Sequence, residues 1–138
     1  MKLEGRVAMI TGAARGIGLA IAKALAAESV RVALCDVDES LLDTARDDVA
    51  TVGEDVLAFR VDVTDKAGIA EAVATLVDRF KRIDILVNNA GIYEVLSLEE
   101  ISERQWDRLL AVNLKGAFLC TQAVLPIMKE HGEGCIVN

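Results

Sequence analysis

The stretch Val7-Ala8-Met9-Ile10-Thr11-Gly12-Ala13-Ala14-Arg15-Gly16-Ile17-Gly18 decides how the chain is read. An apolar run of strand length passes into three glycines at 12, 16 and 18, and a helical pattern follows to about Glu28. Glycine at such a turn leaves no Cβ between a ligand and the backbone N–H groups. A helix N-terminus adds partial positive charge, which suits a phosphate or pyrophosphate. The spacing is G-x-x-x-G-x-G, and no Gly-Lys-Ser/Thr follows, so it is not a Walker A loop. Taken alone, the triplet has a second reading, a tight strand-to-helix turn that needs glycine only for room.

The rest of the chain repeats the same alternation. Arg31 to Asp36 reads as a second strand and Ser40 to Val52 as a helix, with Leu41, Leu42, Ala45, Val49 and Val52 on one face. Val56 to Asp62 is a third strand, followed by Ile69, Val73, Leu76, Val77 and Phe80 at helical spacing. Ile83 to Asn88 is a fourth strand. A long helix is expected from about Ser102 to Glu130, opened by a Ser102/Gln105 capping box and closed at Gly132. Pro126 inside it predicts a kink near its C-terminal end. Cys135-Ile136-Val137 reads as the start of a fifth, buried strand. Strands alternating with helices, joined by right-handed crossovers, give an α/β fold with a doubly wound parallel sheet. The expected strand order is 3-2-1-4-5, with a ligand at the carboxyl ends of the strands, between strands 1 and 4.

Composition agrees with one such domain over residues 1–138. Hydrophobic residues are 53% and aromatic residues only 4%, the Ala/Val/Leu/Ile-rich mix of a sheet covered on both faces. A net charge of −7 without a basic run argues against nucleic acid and against an anionic membrane surface. No stretch reads as long and uncharged enough to span a bilayer, and Met1 to Arg6 shows no signal-peptide core, so a cytoplasmic location is expected. Cys35, Cys120 and Cys135 are scattered and His131 is the lone histidine, which argues for buried thiols over a metal site or a disulfide framework.

Further residues stand at the expected ligand site. Asp36 ends the second strand eighteen residues beyond Gly18, where a dinucleotide fold places the acid that binds the adenosine ribose. A carboxylate there accepts from the 2′- and 3′-hydroxyls and repels a 2′-phosphate, which favours NAD over NADP. Arg15 argues the other way, since a guanidinium could pair with that phosphate. Asp36 could also simply begin an acidic turn with Asp38 and Glu39. Asp62-Val63-Thr64 ends strand 3, and Asn88-Asn89-Ala90-Gly91 ends strand 4. At least one of Asn88 and Asn89 should be buried and partnered. In the long helix, Asn113 falls on the stripe Trp106, Leu109, Leu110, Ala117, Thr121, Val124, where an unpaired amide would cost about 1–3 kcal/mol.

Together these residues resemble the short-chain dehydrogenase/reductase family over the whole chain. The resemblance implies that Gly12, Gly16, Ile17 and Gly18 hold a cofactor pyrophosphate, with Asp36 on the ribose. Asp62 and Val63 then meet the adenine, and Asn89, Ala90 and Gly91 brace the sheet beside the cofactor. Asn113 matches the family asparagine that perturbs its helix and holds a water of the proton relay. The implied activity is hydride transfer between a nicotinamide cofactor and a small carbonyl or alcohol, in a homo-oligomer (dimer or tetramer) with the long helix at an interface.

The family's serine, tyrosine and lysine have no counterpart here. The one tyrosine, Tyr93, is followed four residues on by Ser97. The family places those groups beyond strand 5, so the preferred expectation is the cofactor half of an intact oxidoreductase, inactive as residues 1–138. The alternatives are a non-catalytic dinucleotide-binding module and a receiver-type signalling domain. The glycine loop argues against the last, which would need clustered carboxylates for Mg²⁺ at that position.

Overall fold

The computed structural model describes residues 3–138. Five strands form one parallel sheet in the order β3-β2-β1-β4-β5, as the sequence predicts. They are β1 (Val7–Thr11), β2 (Arg31–Asp36), β3 (Val56–Arg60), β4 (Ile85–Val87) and β5 (Cys135–Val137). The connecting helices are α1 (Gly16–Ala27), α2 (Glu39–Ala50), α3 (Lys66–Phe80), α4 (Glu103–Leu110) and α5 (Gly116–His131).

Strand periodicity splits the interior into two cores. Val7, Met9, Ala33, Cys35 and Leu86 face one side with α3 and α5, while Ala8, Ile10, Val32, Leu34, Ile85 and Val87 face the other with α1 and α2. Alternate residues of one strand point to opposite faces, so a strand covered on both must be apolar throughout. That is why β1 is fully buried along its length.

Two expectations about the long helix are revised. It starts with the predicted Ser102/Gln105 capping box and stops at Gly132, whose φ is +72°. It stays helical through Pro126, and it is not α-helical throughout: a π-helical turn at Ala111–Lys115 that contains Asn113 interrupts it. In addition, Glu103–His131 is long and apolar enough by length and composition to cross a membrane, against the reading that no stretch is. Lys115 and the scattered polar residues are too few to offset Leu, Val, Ala and Phe over an 18-residue average. Leu119, Cys120, Val124 and Met128 of this helix are buried against the sheet and α3, whereas Trp106, Leu114 and Phe118 remain exposed.

The thiols and β5 also differ from expectation. Cys35 and Cys120 are buried, and burial pushes Cys120 up to about 11 and Cys35 higher still, so both are inert. Cys135 is exposed, because β5 pairs with β4 alone at the sheet edge and only Ile136 packs against the core.

At the amino ends of the strands sits a charge cluster that periodicity did not reveal. Asp84 is 2% exposed. It accepts from Arg6 Nη1 at 2.8 Å, from Arg82 Nε at 2.8 Å and from the Val7 N–H at 2.9 Å. Glu133 binds the outer side of Arg6. Burial opposes the Asp84 charge, but the bonds from Arg82, Arg6 and Val7 outweigh it and hold the carboxyl below its usual range. The folded-state value is depressed, so this contribution is complete above the unfolded-state value of about 3.9 and is lost as pH falls through the folded one. Asp84→Asn should lower the urea-unfolding stability at neutral pH by about 3 kcal/mol. At pH 3 the variant and the parent should lie closer together; an equal gap at both pH values would contradict this assignment.

Candidate functional site: the carboxyl ends of the central strands

The site is held by one joint between the first and fourth strands. Thr11, 1% exposed at the end of β1, accepts the backbone N–H groups of Asn89 at 3.1 Å and Ala90 at 3.0 Å. Its hydroxyl donates to the Val87 carbonyl at 3.3 Å. In return, the Asn89 side-chain amide donates to the carbonyls of Thr11 and Gly12, both at 3.0 Å. The loop after β1 and the loop after β4 are therefore fixed to each other where the strand order reverses. The sequence marks Asn89 but not the role of Thr11, whose one signal is a hydroxyl ending a wholly apolar buried strand.

The three glycines serve three separate needs. Gly12 has φ +64°, and a Cβ there would lie 2.9 Å from Ala90 Cα. At Gly18 a Cβ would fall 2.2 Å from the Gly12 carbonyl oxygen and 2.6 Å from Asn89 Nδ2. Gly16 has φ +57° with open space beside it, so only its backbone angle demands glycine. Arg15 caps α1 in an extended conformation, with no side-chain bond to the helix N-terminus and no acid in the first turn. The first N–H groups of a helix have no intrahelical partners. Here they face a bare loop with Arg15, Gly16 and Ile17 exposed (Ile17 is 74% exposed). Unpartnered N–H groups at a helix N-terminus, with open space beside Gly16, suit a pyrophosphate.

Asp36 closes the adjoining side. Its Oδ2 accepts the Ala14 N–H at 3.0 Å and its Oδ1 accepts the Asp38 N–H at 3.1 Å. Asp38 lies next to it; the Ser40 hydroxyl, with smaller help from the Leu41 N–H and the Arg15 charge, holds the Asp38 carboxyl below its usual range. Asp62 is exposed, its Oδ1 taken up by the Thr64 N–H and hydroxyl at 2.8 and 2.7 Å. Val63 turns its side chain into the core against Gly116, so only its backbone is left to meet a ligand. Asn88, also half-buried, donates to Asn138 Oδ1 at 2.8 Å and to Thr121 Oγ1 at 3.4 Å, while its own Oδ1 is buried without a partner.

Asn113 differs from its predicted setting. It is exposed, not buried, and lies in the π turn; of the stripe it was expected to share, only Val124 is buried. Its partner is the backbone of Ile92: Oδ1 accepts the Ile92 N–H and Nδ2 donates to the Ile92 carbonyl, both at 2.8 Å. Asn113 thus secures the loop beyond Gly91 on the far side of the site. Tyr93, in the same loop, is 85% exposed. Among the described residues no group of three His, Cys, Asp or Glu side chains converges to hold a metal ion.

The glycine assignments separate by substitution. Gly18→Ala and Gly12→Ala should each destabilise the fold by about 1–3 kcal/mol through overpacking, with Gly18→Ala the worse. Gly16→Ala should cost about 1 kcal/mol of backbone strain. Thermal unfolding ranks them, and an unperturbed Gly18→Ala would refute the packing described.

Comparison with known proteins agrees with this geometry. The family model for short chain dehydrogenase matches residues 6–138. A sorbitol dehydrogenase from Cereibacter sphaeroides is 44% identical over 134 residues, which is 97% of this chain and 51% of that protein. The 3-oxoacyl-[acyl-carrier-protein] reductase from Thermotoga maritima is 41% identical over all of this chain and 56% of its own length. The chain therefore spans about half the length of the curated relatives it matches. A crystal structure assigned to a short-chain dehydrogenase/reductase from Burkholderia xenovorans superposes with a TM-score of 0.94 at 39% identity, covering 99% of this chain and 54% of that one. The glycine loop, the parallel sheet of order 3-2-1-4-5 and the matched family model place this chain in the short-chain dehydrogenase/reductase family of oxidoreductases.

Proposed function

We propose that these residues are the nucleotide-holding half of an oxidoreductase that uses NAD in preference to NADP. The supporting observation is the uncapped N-terminus of α1 beneath a glycine cradle, with the Asp36 carboxylate at the end of the neighbouring strand. When bound, the nicotinamide would give a hydride to a carbonyl carbon or take one from an alcohol carbon. This chain's residues supply the holding. Gly16, with open space beside it, leaves the backbone bare for the pyrophosphate, Gly12 and Gly18 let the loop pack against Ala90 and Asn89 beneath it, and the α1 N-terminus favours its charge. Asp36 accepts from the ribose hydroxyls and opposes a 2′-phosphate. The Asp62 side chain and the Val63 backbone flank the adenine. Asn89, Ala90 and Gly91 form the wall on the β4 side, and Asn113 keeps the next loop in place while serving the proton relay. Arg15, exposed and outside any ion pair among the described residues, is the feature that favours NADP.

Proton transfer to a nascent alkoxide needs a positioned acid. No Tyr-x-x-x-Lys occurs in these 138 residues, and Tyr93 points to solvent. The reading therefore places that acid in the half of the family fold that this chain does not match. Substrates of the class named in the relatives, polyols or oxoacyl compounds, fit a small-molecule carbonyl or alcohol role. The exposed Trp106, Leu114 and Phe118 of the long helix support a homo-oligomer formed through that face.

Fluorescence titration of the chain with NADH and NADPH tests the reading. NADH should bind at least about tenfold more tightly, because a 2′-phosphate beside Asp36 sets like charges together. Adding a ketone should produce no NADH oxidation by residues 1–138. Equal affinities, or tighter NADPH, would contradict the role given to Asp36, and measurable turnover would contradict the placing of the acid.

A further inference from the structure

We infer that Asp36 is a positioning residue for the pyrophosphate loop as well as a ribose acceptor, and that it clasps the loop before any nucleotide arrives. The inference deepens the dinucleotide reading above and rests on it. Both carboxylate oxygens are already engaged, each with a backbone N–H from a different side of the site. Ala14, inside the glycine loop, donates to Oδ2 at 3.0 Å, and Asp38, at the start of the β2–α2 turn, donates to Oδ1 at 3.1 Å. The side chain therefore bridges two loops that the sheet brings to neighbouring strand ends. Ala13, beside Ala14, is tied to the same strand end by its own N–H, which donates to the Cys35 carbonyl at 3.2 Å.

The lone-pair count makes the two roles compatible. An ionised carboxylate has about four acceptor positions. Two are filled by Ala14 and Asp38, which leaves about two for the 2′- and 3′-hydroxyls of a ribose. Hydrogen bonds to an ionised acceptor are stronger than neutral ones, so the Ala14 bond is a firm anchor for the loop. Ala14 is itself buried, 5% exposed, next to the exposed Arg15-Gly16-Ile17 corner. Fixing Ala14 fixes the chain direction into Gly16, and with it the direction of the α1 N–H groups. An amide in place of the carboxylate has only one acceptor oxygen. The Asp36→Asn side chain could therefore keep one of the two bonds and would set an N–H₂ against the other donor.

The consequence is that residue 36 couples two subsites. A ligand that never reaches the ribose pocket should still sense it. Inorganic pyrophosphate is such a probe. Asp36→Ala should weaken pyrophosphate binding, measured by amide shifts of the glycine loop, by about tenfold, and speed Ala14 amide exchange in the ligand-free chain by about tenfold. Exchange at Ile10 and Leu34, inside β1 and β2, should stay unchanged, which separates loop release from unfolding. Asp36→Asn, nearly the same shape, provides the second variant and should show the same two effects at smaller size. If NADH affinity falls in both variants while pyrophosphate affinity and Ala14 exchange hold, the clasp is refuted and the ribose role survives. If both clasp effects appear but the parent chain prefers NADPH, the clasp stands and the NAD reading fails.

Discussion

The joint between Thr11 and Asn89 is the constraint on which the site depends. In a doubly wound sheet the crossovers leave β1 toward one side and β4 toward the other, so the loops at their carboxyl ends diverge. Thr11 and Asn89 close the base of that crevice with five hydrogen bonds to backbone groups. Gly12 and Gly18 follow from it, since a Cβ at either would strike the joint. The placing of α1 follows in turn, because Gly18, in its first turn, fits only where the Gly12 carbonyl and Asn89 leave space. The position of the exposed α1 N-terminus is thus set by how tightly two loops are tied.

Much of this was legible in the sequence, for identifiable reasons. β1 and β2 agree with the sequence pattern residue by residue, because a strand buried on both faces is an unbroken apolar run bounded by glycine or charge. β4 was read longer than it is. Asp84 lies within that reading, but its side chain takes the Val7 N–H that a longer ladder would have used differently. The capping box at Ser102 and the stop at Gly132 were readable because caps are local chemistry.

What escaped the sequence is what depends on distant partners. The Asp84 cluster joins residues 6, 82, 84 and 133, which no window brings together. Asn113, exposed in a π turn, bonds to Ile92 in a loop distant in sequence, which the 3.6-residue pattern does not reveal. Pro126 predicts a kink near the C-terminal end, and nothing in the sequence marks the π turn at Ala111–Lys115, where Asn113 bonds to Ile92. The position of Asp36 in the sequence points to a ligand, whereas its bonds to Ala14 and Asp38 depend on β1 and β2 lying side by side.

The central claim is that a dinucleotide lies across the carboxyl ends of β1, β2 and β4. Titrating the isotope-labelled chain with NADH while following backbone amide shifts tests it most directly. The account predicts saturable shifts at Gly12 to Gly18, Asp36, Asp62, Val63 and Asn89 to Gly91, and none at Arg82, Asp84 or Glu133 at the opposite end of the sheet. Shifts confined to that opposite end, or to the exposed face of the long helix, would contradict it.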